Sequence, residues 1–224
     1  MKLTHFGHAC VLVELPAAET STRILFDPGT YSRDFEDLTG LDLILITHAH
    51  PDHLDAPRLA ALLRANPAAH LVVGKDALTA VDDPGYPAHM RRPARIAEPG
   101  RTLSLLGHEI AITGGAHACV HPDLPASENV GYLIDDRVFH PGDAFDEIAV
   151  AVEVLLLPIG GPWMKIGEGI DFLRRISPRV VVPIHQAGLA PAHQNMHCGL
   201  LRNLAPEGTE VLVLEPGSSH SIAS

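Results

Sequence analysis

Cysteine is scarce in this chain of 224 residues: Cys10, Cys119 and Cys198 are few, odd in number and far apart. Such spacing implies no disulfide framework. Long apolar runs are lacking too, since no stretch approaches the roughly 18 residues that a membrane helix needs. The start of the sequence offers one lysine and a short apolar run at 10–13 before Glu14 and Pro16, which is not the build of a signal peptide. Basic residues are in the minority, with Lys and Arg totalling 16 against 27 Asp and Glu, a formal net charge of −11 with neutral histidine. That balance disfavours non-specific binding to nucleic acid or to an anionic lipid surface. The expectation is a single cytoplasmic domain over 1–224, long enough to bury about 70% of its unfolded surface.

Histidine, by contrast, is plentiful at 15 residues. The densest group is Thr47-His48-Ala49-His50-Pro51-Asp52-His53, in the pattern His-x-His-x-Asp-His. It begins where the aliphatic run 41–46 stops, a run short enough to read as a buried strand. Asp55 and Pro57 follow as helix-starting residues, and Leu59, Leu62 and Leu63 recur at helical spacing. The histidines therefore occupy a strand-to-helix loop, where functional groups are held between rigid flanks. Imidazole nitrogens and carboxylate oxygens suit zinc and related divalent ions. Four such groups in one tight loop are too crowded for a single ion and suit two, with further ligands supplied from elsewhere.

This motif resembles the signature of the metallo-β-lactamase-fold hydrolases, and the likeness extends through further blocks. An early Gly7-His8 and a strand ending in Asp27-Pro28 are similar to the family's opening. The strand 109–113 leads into Gly114-Gly115-Ala116-His117-Ala118-Cys119-Val120-His121. His140-Pro141-Gly142-Asp143 resembles the family's Gly-Asp block, and the Val-rich strand 179–184 delivers His185. The resemblance implies an α/β fold, a four-layer αβ/βα sandwich with a two-metal site along one edge. It implies that His48, His50 and His117 hold one ion, that Asp52, His53 and His185 hold the other, and that Asp143 bridges them. His117, nearest its strand end, fits the third position best, and His121 is the rival. Asp27 and His140 would support the ligands from behind, and His8 would face the site or the substrate.

The cofactors implied are two divalent ions, Zn2+ first and Mn2+ as the alternative. His50 bears on that choice, because redox di-iron relatives usually carry Glu there. The expected chemistry is attack by metal-bound hydroxide on an ester, lactone, amide or phosphoester bond of a small molecule, with Asp52 steering the proton. The block at His117 lacks the Gly-His-Thr-Pro-Gly form of the glyoxalase-type branch, so the likeness is to the lactonase-like and uncharacterised hydrolase branch. A nuclease of the same fold and a metal-binding or sensing protein without turnover are the alternatives. No nucleic-acid or membrane partner is expected, and homo-oligomerisation is left open.

Other features are weaker. Trp163, the only tryptophan, lies in a Gly/Pro loop and is a candidate pocket wall or core residue. The loops 82–93 and 160–165 are candidate pocket walls. The basic residues between Arg91 and Arg95 form a small patch that suits one anion or plain surface. His193 and His197, four residues apart, read as surface groups on a helix. The segment 208–214 is expected to close the sheet, and 218–224 to fray.

Overall fold

The computed structural model describes residues 1–16, 20–81 and 94–223. Within it the chain forms two compact units, Met1–Glu98 with Leu214–Ser224, and Pro99–Val213. Each carries a seven-stranded sheet.

In the first unit β1 (Lys2–His5), β2 (Val11–Leu15) and β3 (Thr22–Phe26) form an antiparallel meander. Then β4 (Leu43–Ile46), β5 (His70–Val73) and β6 (Arg95–Ile96) add in parallel. Parallel strands need crossovers; α1 (Ala56–Ala65) lies between β4 and β5 and α2 (Lys75–Val81) between β5 and β6, while the segment 27–42 joins β3 to β4 without a helix. Every residue of β4 is buried, as befits a strand covered on both faces.

The signals that start and stop α1 are local. The Asp55 carboxylate accepts the Arg58 amide, Pro57 occupies the first turn, and Asn66 ends the helix by donating its own amide to Leu62. Leu59, Leu62 and Leu63 then pack on Ile44, Ile46, Leu71 and Val73. Burying each leucine contributes about 1.5–3 kcal/mol. Leu62→Ala would cost about 2–5 kcal/mol through the cavity it leaves.

The second unit opens with the hairpin β7 (Thr102–Leu105) and β8 (His108–Gly114), whose turn residues Leu106 and Gly107 have φ of 55° and 83°. Two left-handed residues in a row match the twist of the flanking strands. A second such turn at Asp135-Asp136 joins β9 (Val130–Ile134) to β10 (Val138–His140). From β10 onward the pairing is parallel, through β11 (Val154–Pro158), β12 (Val180–Ile184) and β13 (Glu210–Val211). The helices are α3 (Ile166–Ile176) and α4 (Pro191–Leu204). Ile170, Leu173 and Ile176 of α3 and Leu201 of α4 pack with Leu155, Leu157 and Val181.

At the C-terminal end one expectation holds in shortened form and one fails. The segment 208–214 closes the second sheet, through Glu210 and Val211 alone. Beyond it, the expected fraying gives way to β14 (Ser219–Ser221), antiparallel to β1, with Ile222 buried. That pairing is made by backbone groups of polar residues, which leave no hydrophobic period to read. The loop 82–93, and with it Arg91 and Arg92 of the basic patch, lies outside the described residues. No helix among the described residues is long and apolar enough to cross a membrane.

Candidate metal-binding site

In both units the candidate ligands follow the ends of strands. In the first unit the strand is β4, and the organising group behind it is Asp27. This residue ends β3 with φ of 41°, a left-handed conformation that Asp tolerates better than most. Its carboxylate is wholly buried. Oδ1 accepts the Thr47 amide at 2.8 Å, and Oδ2 accepts the Thr47 hydroxyl at 2.8 Å and His53 Nδ1 at 2.8 Å. An ionised carboxylate only accepts, so the proton on His53 sits at Nδ1 and the ring presents the Nε2 lone pair. The Thr47 hydroxyl, whose hydrogen is donated to the bond with Asp27, accepts from His48 Nδ1 at 3.0 Å. His48 therefore also presents Nε2, which lies 3.0 Å from His50 Nδ1. One carboxylate thus sets the tautomers of two histidines, one directly and one through a hydroxyl. Thr47 carries this relay although the motif gives it no ligand role; its place next to His48 at the strand end is the signal.

His8, also left-handed with φ of 51°, sets its Nε2 3.0 Å from Asp52 Oδ2. His53 Nε2 is 4.0 Å from the same oxygen. These three residues offer ligand atoms within 4.8 Å of one another. His8 thus stands beside the candidate ligands themselves.

The loop holding them is pinned from outside. A Cβ at Gly29 would lie 1.8 Å from the Asp52 carbonyl oxygen, so only glycine permits the approach. Arg58 donates to Asp55, Glu36 and the carbonyls of Ser32 and Gly29 at 2.7–2.8 Å, and lies over the Phe35 ring. Burial alone would raise the Glu36 carboxyl, but its bonds and charge contact with Arg58 outweigh that and hold it below its ordinary value.

The second unit supplies His117, Asp143 and His185. Asp143 follows β10 in a turn held by the Gly142 amide donating to His140 Nδ1 at 3.0 Å. Asn129 Oδ1 accepts the Asp143 amide at 2.9 Å, and Asn129 Nδ2 donates to the Pro141 carbonyl at 2.9 Å. His140 therefore organises the turn backbone. His117 Nδ1 donates to the Ala118 carbonyl at 2.7 Å, and His185 Nδ1 donates to the Gly160 carbonyl. Both rings present Nε2, at 3.4 Å and 3.1 Å from Asp143 Oδ2. The side chain of His117 is 4% exposed, whereas that of His121 is 63% exposed and lies beside Asp123.

This donor set fits a divalent ion. Two imidazole lone pairs facing one carboxylate oxygen repel it unless positive charge lies among them. Nitrogen and carboxylate donors are those that zinc and its neighbours prefer. Trp163 joins the same group, because its indole Nε1 donates to Asp143 Oδ2 at 2.7 Å. The sequence leaves Trp163 open between a pocket wall and a core residue; it is buried, and its edge lines a cavity of about 350 Å³ with Ala118, Phe145, Glu168, Asp171 and Arg175. Its bond to Asp143 left no trace in the sequence, since the two residues belong to different loops. His197 Nδ1 is bonded to the Ile159 carbonyl at 2.7 Å.

A fold of two mixed sheets with histidines and aspartates at strand ends has known counterparts. Residues 2–185 match the Beta-lactamase superfamily domain, and the chain belongs to that superfamily. Protein Rv0786c of Mycobacterium tuberculosis is 44% identical over 217 residues, covering 95% of this chain and 96% of its own. The UPF0173 metal-dependent hydrolase MJ1163 of Methanocaldococcus jannaschii is 27% identical, covering 82% of this chain and 83% of its own. Solved chains of the metallo-β-lactamase fold superpose along nearly the whole length. Igni18, a metallo hydrolase from Ignicoccus hospitalis, does so with a TM-score of 0.70 at 26% identity, covering 99% of both chains. The fold is accordingly the α/β metallo-β-lactamase fold.

Proposed function

We propose that this protein is a metal-dependent hydrolase that holds two divalent ions and cleaves an ester, lactone, amide or phosphoester bond of a small molecule. The observation that carries the reading is the pair His117 and His185, with Nδ1 committed to backbone carbonyls and Nε2 turned to Asp143 Oδ2. On this reading His48, His50 and His117 would hold one ion, Asp52, His53 and His185 the other, and Asp143 both. Zinc is the first choice, with manganese second. Bound there, the ions would supply Lewis acidity and a water acidic enough to ionise near neutral pH.

The chain's own groups do the rest. Asp27, the Thr47 hydroxyl and the carbonyls of Ala118 and Gly160 keep four imidazoles in the ligating tautomer. Asp52 would take the proton released during attack, while His8 Nε2 donates to its Oδ2 at 3.0 Å and holds that carboxylate in place. A net charge of −11 argues against a nucleic-acid substrate.

The test is elemental analysis of protein purified without chelator, then turnover of lactones, esters and phosphodiesters by the metal-loaded protein. Two ions per chain and turnover lost in Asp143→Asn are expected. Lack of metal even after reconstitution would sink the reading. Efficient cleavage of RNA or single-stranded DNA, lost in the same variant, would replace it with a nuclease.

A further inference from the structure

We propose that Trp163 is a positioning residue whose indole N–H fixes the orientation of the Asp143 carboxylate toward the metal ions. The proposal rests on the reading of Asp143 as a ligand. The backbone of Asp143 is already held: its amide donates to Asn129 Oδ1 at 2.9 Å and its carbonyl accepts from Ala118 at 2.9 Å. What remains soft is rotation of the carboxylate about its terminal torsion, which has a broad, roughly two-fold preference. The bond from Trp163 Nε1 to Oδ2, at 2.7 Å, acts on that torsion.

The arrangement is built around the indole. Trp163 is only 9% exposed. Its ring packs edge-on to His117 and His185, with centroids 6.0 Å and 6.1 Å away, and against Phe145 at 5.2 Å. Gly161 makes room for it, since a Cβ there would lie 2.7 Å from Nε1. The chemistry of the donor matters as well. An indole N–H donates and cannot accept, so it cannot take an ion for itself. A carboxylate offers about four acceptor directions, and the indole uses one, leaving the others for metal. Trp163 thus fixes the plane of the carboxylate, as Asp27 fixes the tautomer of His53.

The experiment uses the full chain and measures zinc affinity by competition with a chromophoric chelator, beside urea unfolding of the metal-free protein. Trp163→Phe removes the donor but also shrinks the ring. A second variant carries benzothienylalanine at 163, which keeps the bicycle and places sulfur where the N–H stood. Both are expected to bind at least one ion about 10–100-fold more weakly, the usual effect of losing a group that orients a ligand. In the unaltered protein the single indole N–H resonance should move on metal loading. Unchanged affinities in the benzothienylalanine variant would overturn the proposal, whether or not the Phe variant is weakened, because packing would then explain any loss. A Phe variant that loses only metal-free stability would overturn it equally. If the unaltered protein binds no ion, the functional reading fails and takes this proposal with it. If it binds two and the variants bind them as tightly, only the role of Trp163 is wrong.

Discussion

Asp27→Asn is the sharpest perturbation this structure offers, because it changes a charge and a donor without changing a shape. Asn tolerates the left-handed φ of 41° as well as Asp does, so the backbone need not move. Oδ1 can still accept the Thr47 amide. At the other position an NH2 group now confronts the Thr47 hydroxyl and His53 Nδ1, both of which had donated to Oδ2 at 2.8 Å. Two charge-assisted bonds of about 1.5–3 kcal/mol each are lost, and partial replacement by neutral ones leaves a deficit of about 3 kcal/mol. For a chain of this size that corresponds to a fall of about 6–12 °C in the midpoint of the metal-free protein. The larger effect is on protons. The new NH2 donates to His53 Nδ1 and to Thr47, whose hydroxyl then turns to donate to His48 Nδ1. Both rings are driven to carry their proton on Nε2, the nitrogen assigned to metal. Each reversal should cost about 10–100-fold in affinity, and together more than about 100-fold. Chelator competition measures the loss, and nitrogen-detected NMR of the imidazoles reads the tautomers directly. A variant that keeps its metal affinity and both tautomers would refute the relay through Thr47.

Three further predictions follow from the same geometry. His117→Ala should lower metal affinity and turnover by more than about tenfold, while His121→Ala, at an exposed site, should leave both near the starting value; the reverse order would reassign the ligand. Gly29→Ala would place a Cβ 1.8 Å from the Asp52 carbonyl oxygen, so it should lower stability by about 3 kcal/mol or more and weaken metal binding; a variant with an unchanged unfolding curve would contradict the close approach. Glu153 concerns acid stability. Burial alone would raise its carboxyl, but its bonds to Arg179 and Arg137 outweigh that and hold it below its ordinary value. A carboxyl depressed on folding contributes stability above its unfolded value and loses it as pH falls through the folded one. Glu153→Gln should therefore cost about 0.5–1 kcal/mol at pH 7 and nothing in strong acid, and a cost that does not shrink on acidification would count against the pairing.

Much of this was legible in the sequence where structure is decided locally. The run 41–46 announced a buried strand, Asp55 and Pro57 opened α1, and His48 to His53 followed directly from the strand end. Residues at the ends of other strands could be named, because a buried strand that stops at His or Asp has few bland explanations. Groups acting across long sequence distances were less visible. The place of Asp27 was expected, yet its reach to His48 through Thr47 depends on how β3 and β4 pair. Trp163 read as a pocket wall or a core residue, and only folding brings its N–H to Asp143. Arg58, spaced as an ordinary surface residue of α1, ties together segments that lie more than twenty residues apart. Strand β14 went unread because its pairing uses the backbone of Ser219, His220 and Ser221.

The clamp at Arg58 bears on how such a protein would acquire its ions. In small zinc domains the metal organises the chain, so that binding and folding are one event. Here a guanidinium, a glycine contact and a buried carboxylate shape the ligand loop by means that need no metal. The entropy of ordering that loop is met when the chain folds, so ion capture need not repay it. A chelator should then strip the ions and leave a folded apoprotein that reloads without refolding. The occupant would then be chosen by the ligand geometry that folding fixes, together with the free-ion concentrations around the protein.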